Sequence, residues 1–368
     1  MSNSTMFLIA TLLFLSARLT TAGNMNSFAG VCYGRNGDNL PSPAKTVSLY
    51  KKINVGGIRL YEPFPDLIVS LQGTGLLVAI GPRNEAIKTL AEEYQFALNW
   101  DKTFIAPYKN VAFNWITVGN EVIEGEIGRY VPQAMKNIKA ALTEIGNSKI
   151  HVTTVISTAA LANSYPPSAG VFKPAITELI TEIVSILSST DSPLMVNVYP
   201  YFAYASDPSH VSLEYATFRS TSPVVTDGKY QYTNIFDATL DAFNVALEKI
   251  NHGSVKVYVA ETGWPTRGND PYTSVENARA YNQGLLKKLT TGKGTPRRPN
   301  VPVITFFFEM FNEDLKQGAV EQSFGFFDPN MAPVYDMWNI ARTSNASPSW
   351  VIWTNWVIWT MLITRLFY

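Results

Sequence analysis

Three observations predict that this chain folds as a single (β/α)8 TIM barrel, an α/β architecture. Eight short apolar, β-rich runs recur along its 368 residues, helical patterns separate them, and no Ser/Gly linker or composition shift marks a second domain before residue 343. The runs are SFAGVCYG from Ser27, VGGIRLYE from Val55, GLLVAIG from Gly75, AFNWITVGNE from Ala112, KIHVTTVIS from Lys149, LMVNVYP from Leu194, VKVYVAETG from Val255 and VPVITFFFEM from Val301. Each is too continuously apolar for a half-exposed antiparallel strand and suits a parallel strand covered on both faces. A doubly wound open sheet is the alternative. The strand count closes a barrel, and no Gly-rich phosphate fingerprint follows the first run, so the barrel is preferred.

The intervening segments read as helices. They are AKTVSLYKKI, EAIKTLAEEYQFALNW, VPQAMKNIKAALTEIG, ITELITEIVSIL, FDATLDAFNVALEKI and VENARAYNQGLLKKL. In the fifth, Phe236, Leu240, Phe243 and Leu247 recur at three to four residues and mark one helix face. In the sixth, Pro271 and Ser274 stand near the start and Gly292 lies past the end, as capping preferences favour.

Charge excludes some partners. The 29 basic and 29 acidic side chains cancel, which gives no reason to expect nucleic acid or an anionic membrane surface. Hydrophobic residues at 46% supply a large core, and low charge with 12% aromatics suits a neutral, hydroxyl-rich ligand. The single cysteine, Cys32, rules out an internal disulfide and sits in an apolar run, where a buried inert thiol is expected. His151, His210 and His252 are scattered without metal-ligand spacing, so no metal is implied.

The two ends carry separate signals. Met6 to Ala17 has the length of a secretory signal core, and Thr20 and Ala22 supply small residues before a cut between residues 22 and 29, with residues 1–22 as the leader. A short membrane anchor is the other reading. From Trp350 the chain is apolar and Trp-rich, so residues 344–368 read as a removed sorting peptide, a lipid-anchor signal or a weak membrane segment. Asn345-Ala346-Ser347 is a glycosylation sequon followed directly by Pro348. The expected destination is outside the cell or in its wall, with the vacuole or a membrane anchor as alternatives.

Catalytic groups of such barrels collect at the C-terminal ends of strands. Glu121 ends the fourth run and Glu261 the seventh. A facing carboxylate pair is what glycosidic bond cleavage needs: one protonates the leaving oxygen and the other attacks the anomeric carbon, about 5–5.5 Å apart in a retaining enzyme. Asn120, directly before Glu121, has an amide that can bond a sugar 2-hydroxyl. Glu121 is therefore assigned as proton donor and Glu261 as nucleophile. Either Glu alone would read better as a first-turn helix residue favoured by the dipole; the pair at strands four and seven, one preceded by Asn and the other followed by Thr-Gly-Trp-Pro, reverses that preference.

At this point the chain resembles the plant β-1,3-glucanases of glycoside hydrolase family 17. VYVAETGWPTRG, GVCYGRNGDNLP, IRLYEP, VGNEV, VNVYPYFAY and SFGFFDP carry the resemblance, over roughly residues 30–340. It implies Glu261 as nucleophile, Glu121 as proton donor, and a supporting cluster of Glu313, Lys316 and Glu321, although the loop among the last three is one residue shorter than usual. Without the resemblance, Glu313 and Lys316 could equally form a surface helix pair. One departure is Glu309, where the family usually has a small apolar residue; an inward Glu309 would add negative charge near the nucleophile. Of the aromatic residues at this rim, Tyr33, Tyr199, Trp264 and Phe308 are expected on the substrate, and Tyr201, Phe202 and Phe311 gather with them. The resemblance implies retaining endo-hydrolysis of β-1,3-glucan, callose or fungal wall glucan, by a monomer needing no cofactor and no obligate protein partner. The rivals are a β-1,3-1,4-glucan hydrolase and a glucan-binding wall protein with little turnover.

Overall fold

The computed structural model describes residues 28–338. The leader over residues 1–22, the tail over 344–368 and the sequon at Asn345 lie outside the described residues. The far end of the expected cleavage window does not, because Phe28 and Ala29 are already strand, paired with Ile304 and Thr305.

All eight runs form barrel strands. They are β1 (Phe28–Tyr33), β2 (Gly57–Leu60), β3 (Leu77–Ile80), β4 (Ala112–Asn120), β5 (His151–Ser157), β6 (Leu194–Asn197), β7 (Val257–Thr262) and β8 (Ile304–Phe307). Every neighbouring pair is parallel, and β8 closes the ring against β1. Two short antiparallel ribbons, Leu161–Asn163 with Val171–Phe172 and Val225–Asp227 with Tyr230–Tyr232, decorate the loops after β5 and β6.

The outer helices follow the sequence patterns closely at Pro43–Ile53, Val131–Glu144, Pro174–Ser189, Ile235–Lys249 and Val275–Thr290. Ser274 caps the last of these, accepting the Asn277 N–H at 3.0 Å, worth about 1 kcal/mol. The pattern over residues 85–100 is instead two helices, Ile87–Glu92 and Tyr94–Phe104, with Glu93 extended between them. Pro65–Leu71 forms a further short helix that the periodicity did not announce.

Strand alternation sorts side chains into two cores. Cys32, Ala79, Trp115, Val155, Met195, Ala260 and Phe306 fill the barrel interior. Val31 and Tyr33, on the other face of β1, pack with the helices. The Cys32 thiol donates to the Ala260 carbonyl at 3.3 Å, and burial pushes its pKa up to about 12. It is the inert thiol expected of its run.

Candidate active site

The two strands that carry Glu121 and Glu261 both lose regular register just before their acids. On β6 the pairing of β7 shifts between Val259 and Glu261, and on β5 the pairing of β4 shifts between Thr117 and Asn120. Such irregularities re-aim side chains at a strand end. Gly119 has φ +91°, and a Cβ there would lie 2.8 Å from Val122 Cγ2. Glu121 itself has φ +57°. A non-glycine residue held in the left-handed region costs on the order of 1–3 kcal/mol, a strain that concentrates at functional sites. After Glu261, Gly263 lets β8 approach, since a Cβ there would meet the Phe308 carbonyl at 2.2 Å.

Glu261 is 6% exposed and both of its oxygens are held. Oε1 accepts Arg59 Nη1 at 2.5 Å and Oε2 accepts the Tyr199 hydroxyl at 2.8 Å. Arg59, on β2 and only 1% exposed, also donates through Nη2 to Asn120 Oδ1 at 2.8 Å. Its guanidinium stacks on Tyr61, 4.5 Å from the ring centre. Asn197, the last residue of β6, donates Nδ2 to Glu121 Oε1 at 2.7 Å and reaches Asn120 Oδ1 at 3.4 Å. One connected path therefore joins the acids: Glu121, Asn197, Asn120, Arg59, Glu261. Asn120 receives both donors on its oxygen, which turns its NH2 group toward the cleft.

The two acids sit in different electrostatic surroundings. Burial pushes the Glu121 carboxyl above the usual range; the Asn197 amide opposes this, and the nearby Glu261 charge adds to it. Glu261 faces a guanidinium instead.

Two hollows share Glu261 and Phe308. The first, about 670 Å³, is lined on the β4–β6 side by Glu121, Asn197, Tyr199, Phe202, Glu321 and Phe324 among others. The second, about 580 Å³, is lined on the β1–β3 side by Arg35, Tyr61, Arg83, Asn120, Glu313 and Lys316 among others. The structure thus brings Glu121, Glu261, Asn120, Tyr199, Phe308, Glu313, Lys316 and Glu321 to one cleft.

Two expected contacts are corrected. Tyr33 is 2% exposed, belongs to the core beneath the helices and packs edge-on against Phe311 at 6.1 Å. Its position on β1 aims it away from the barrel axis, into the layer packed by the helices, and it lines neither hollow of the cleft. Trp264 is fully buried, donates Nε1 to the Tyr272 carbonyl at 3.1 Å and packs on Tyr201. Both support the cleft from behind. Tyr201 and Phe311 are buried too, whereas Phe202 stands 48% exposed at the rim.

Arg59, Asn197 and Tyr61 were missed from sequence. Their signal was present. An arginine inside IRLYE and an asparagine inside LMVNVYP are polar groups in fully covered strands, and a buried polar group demands a partner.

Comparison with known proteins supports the same reading. The model of glycosyl hydrolases family 17 matches residues 29–338. A Hordeum vulgare protein named glucan endo-1,3-beta-glucosidase GVI is 46% identical over 309 residues, covering 83% of this chain and 95% of the relative. Lichenase-2 of Hordeum vulgare is 42% identical over 306 residues, covering 83% and 96%. Among solved structures, a chain from a study of two plant beta-glucan endohydrolases with distinct substrate specificities superposes with a TM-score of 0.81 at 42% identity, covering 84% of this chain and 99% of that one.

Proposed function

The chain belongs to glycosyl hydrolase family 17, and on that premise we propose that it cleaves internal β-1,3 linkages of glucan chains with retention of anomeric configuration. The carrying observation is the pair of acids held by unlike partners, buried Glu261 by a guanidinium and a phenol, solvent-facing Glu121 by one amide.

In the first step a Glu261 oxygen attacks the anomeric carbon and the glycosidic C–O bond breaks. The Glu121 proton passes to the departing oxygen. In the second step Glu121 takes a proton from water, the water oxygen bonds to the anomeric carbon, and the Glu261 ester bond breaks. The raised pKa of Glu121 suits this exchange, because its acid form persists to higher pH than an ordinary carboxyl would allow. The Asn120 NH2 group is placed to donate to the 2-hydroxyl of the sugar under attack. The β1–β3 hollow, which holds Asn120, then takes the sugar that becomes esterified, and the β4–β6 hollow, which holds Glu121, takes the leaving chain. The apolar leader supports secretion toward wall glucan.

The test is proton NMR of the first product from laminarin. The β-anomer is expected; an initial α-anomer would mean inversion and would make Glu261 a base acting through water. Running barley mixed-linkage glucan in parallel separates the two specificities of the relatives, with the laminarin rate expected to be higher.

A further inference from the structure

Beside the reacting acids lies a second group of buried charges. Glu309, two residues past β8, and Glu313 are each 1% exposed. Between them stands Lys316, whose Nζ is 2.8 Å from Glu309 Oε1 and 2.9 Å from Glu313 Oε2. The same ammonium lies 4.2 Å from the centre of the Phe308 ring. Lys316, Glu313 and Phe308 line the β1–β3 hollow with Asn120 and Glu261, and Glu309 does not.

The two carboxylates hold Lys316 unequally. Glu313 is tied to the loop after β1: its Oε1 accepts the Asn36 N–H at 2.6 Å, and its carboxyl fills the space above Gly34, where a Cβ would come within 2.5 Å. Its Oε2 makes a charge contact with Lys316 but accepts no aligned hydrogen bond. Of the two carboxylates, only Glu309 accepts an aligned hydrogen bond from the ammonium. Burial works against charge on both partners: it pushes the Glu309 carboxyl well above the usual range despite Lys316, whereas at Lys316 the neighbouring Glu309 and Glu313 outweigh it and hold its pKa above the usual lysine value. A lysine is otherwise a point charge on a flexible four-carbon stem, poorly fixed by a single partner.

We propose that Glu309 is a positioning residue for Lys316, fixing the ammonium against Phe308 so that a remaining N–H faces the hollow and donates to a hydroxyl of the sugar bound beside Glu261. Glu309 touches no sugar and acts only through Lys316. The proposal rests on the glucan reading above. It predicts that the effect of Glu309 is felt in substrate binding and vanishes when Lys316 cannot donate.

The experiment is a kinetic cycle on laminarin with the parent, Glu309→Ala, Lys316→Met and the double variant, each checked for folding by thermal unfolding. Glu309→Ala is expected to raise KM about five- to tenfold with a smaller fall in kcat, the loss of one hydrogen bond to a charged group. Glu309→Gln, which keeps an acceptor oxygen, should recover most of it. In the Lys316→Met background Glu309→Ala should change neither constant. An equal loss in that background, or an unchanged KM in the parent background, overturns the proposal. If Glu309→Ala does not fold, the isosteric Glu309→Gln enters the same cycle, with a smaller KM rise that must also vanish with Lys316→Met. A readout without turnover is reductive methylation of Lys316 followed by mass spectrometry: Glu309→Ala, or Glu309→Gln in its place, should speed it, and an unchanged rate overturns the proposal. A folded parent inert on every β-glucan would sink the glucan reading instead, and the methylation rate would still decide the link between Glu309 and Lys316.

Discussion

The two hollows of the cleft are built from different chemistry. The β1–β3 side is charged, and its charges are paired. Arg59 meets Glu261, Lys316 meets Glu309 and Glu313, Arg83 meets Glu62 at 2.8 Å, and Arg35 meets Asp66 at 2.9 Å. The β4–β6 side presents amides, hydroxyls and ring faces beside the Glu321 carboxylate, and its central acid, Glu121, has one amide and, among the described residues, no salt-bridge partner. The contrast teaches that the task of a carboxylate is set by what it faces. Compensated charge fixes a nucleophile in place. A surrounding without a paired cation leaves an acid free to keep and release a proton.

Removing the proposed nucleophile should have the largest effect. Glu261→Gln keeps a similar shape and should keep the fold, yet an amide cannot form the glycosyl ester, so turnover should fall at least about a thousandfold. Near-normal laminarin hydrolysis by the folded variant would break the contrast at its centre. Arg59→Met removes the cation from the charged side and leaves Glu261 buried with only Tyr199. A loss of about 3–5 kcal/mol in urea unfolding is expected, the usual consequence of stripping one partner from a buried pair; a loss under about 1 kcal/mol would mean the pair holds little. The smallest change belongs to the β4–β6 side. The Asn197 amide favours the charged form of Glu121 and so pulls its pKa down against burial. Asn197→Ala removes that pull, the pKa rises, and the acid form survives to higher pH. The alkaline limb of the pH–rate profile should therefore move upward, and a limb that stays put or moves down would assign the proton to another group.

The fold was almost wholly legible in the sequence. All eight apolar runs are strands because a parallel strand covered on both faces has no polar side to disguise it. Glu121, Glu261 and Asn120 were legible for a related reason: each interrupts such a run at its C-terminal end. What stayed hidden were directions. Tyr33 is one residue past Cys32, and that single step turns it from the barrel axis to the helix layer. Trp264 follows the strand by two residues, where a turn rather than a pleat decides where the indole goes. Glu309 is buried and lines neither hollow, and it meets Lys316, a partner seven residues on that periodicity could not supply. Arg59 and Asn197 were in plain view, and only the need of a buried polar group for a partner marks them.

The hollows share Glu261 and Phe308 and are otherwise lined by different sides of the barrel mouth, so the site extends to both sides of the acids. A polymer laid in it need not offer an end. Each cut then falls at an interior bond and divides one long molecule into two shorter ones. A glucan solution treated this way thins while its reducing power has hardly risen, and a glucan gel loses its connected strands before it loses its sugar.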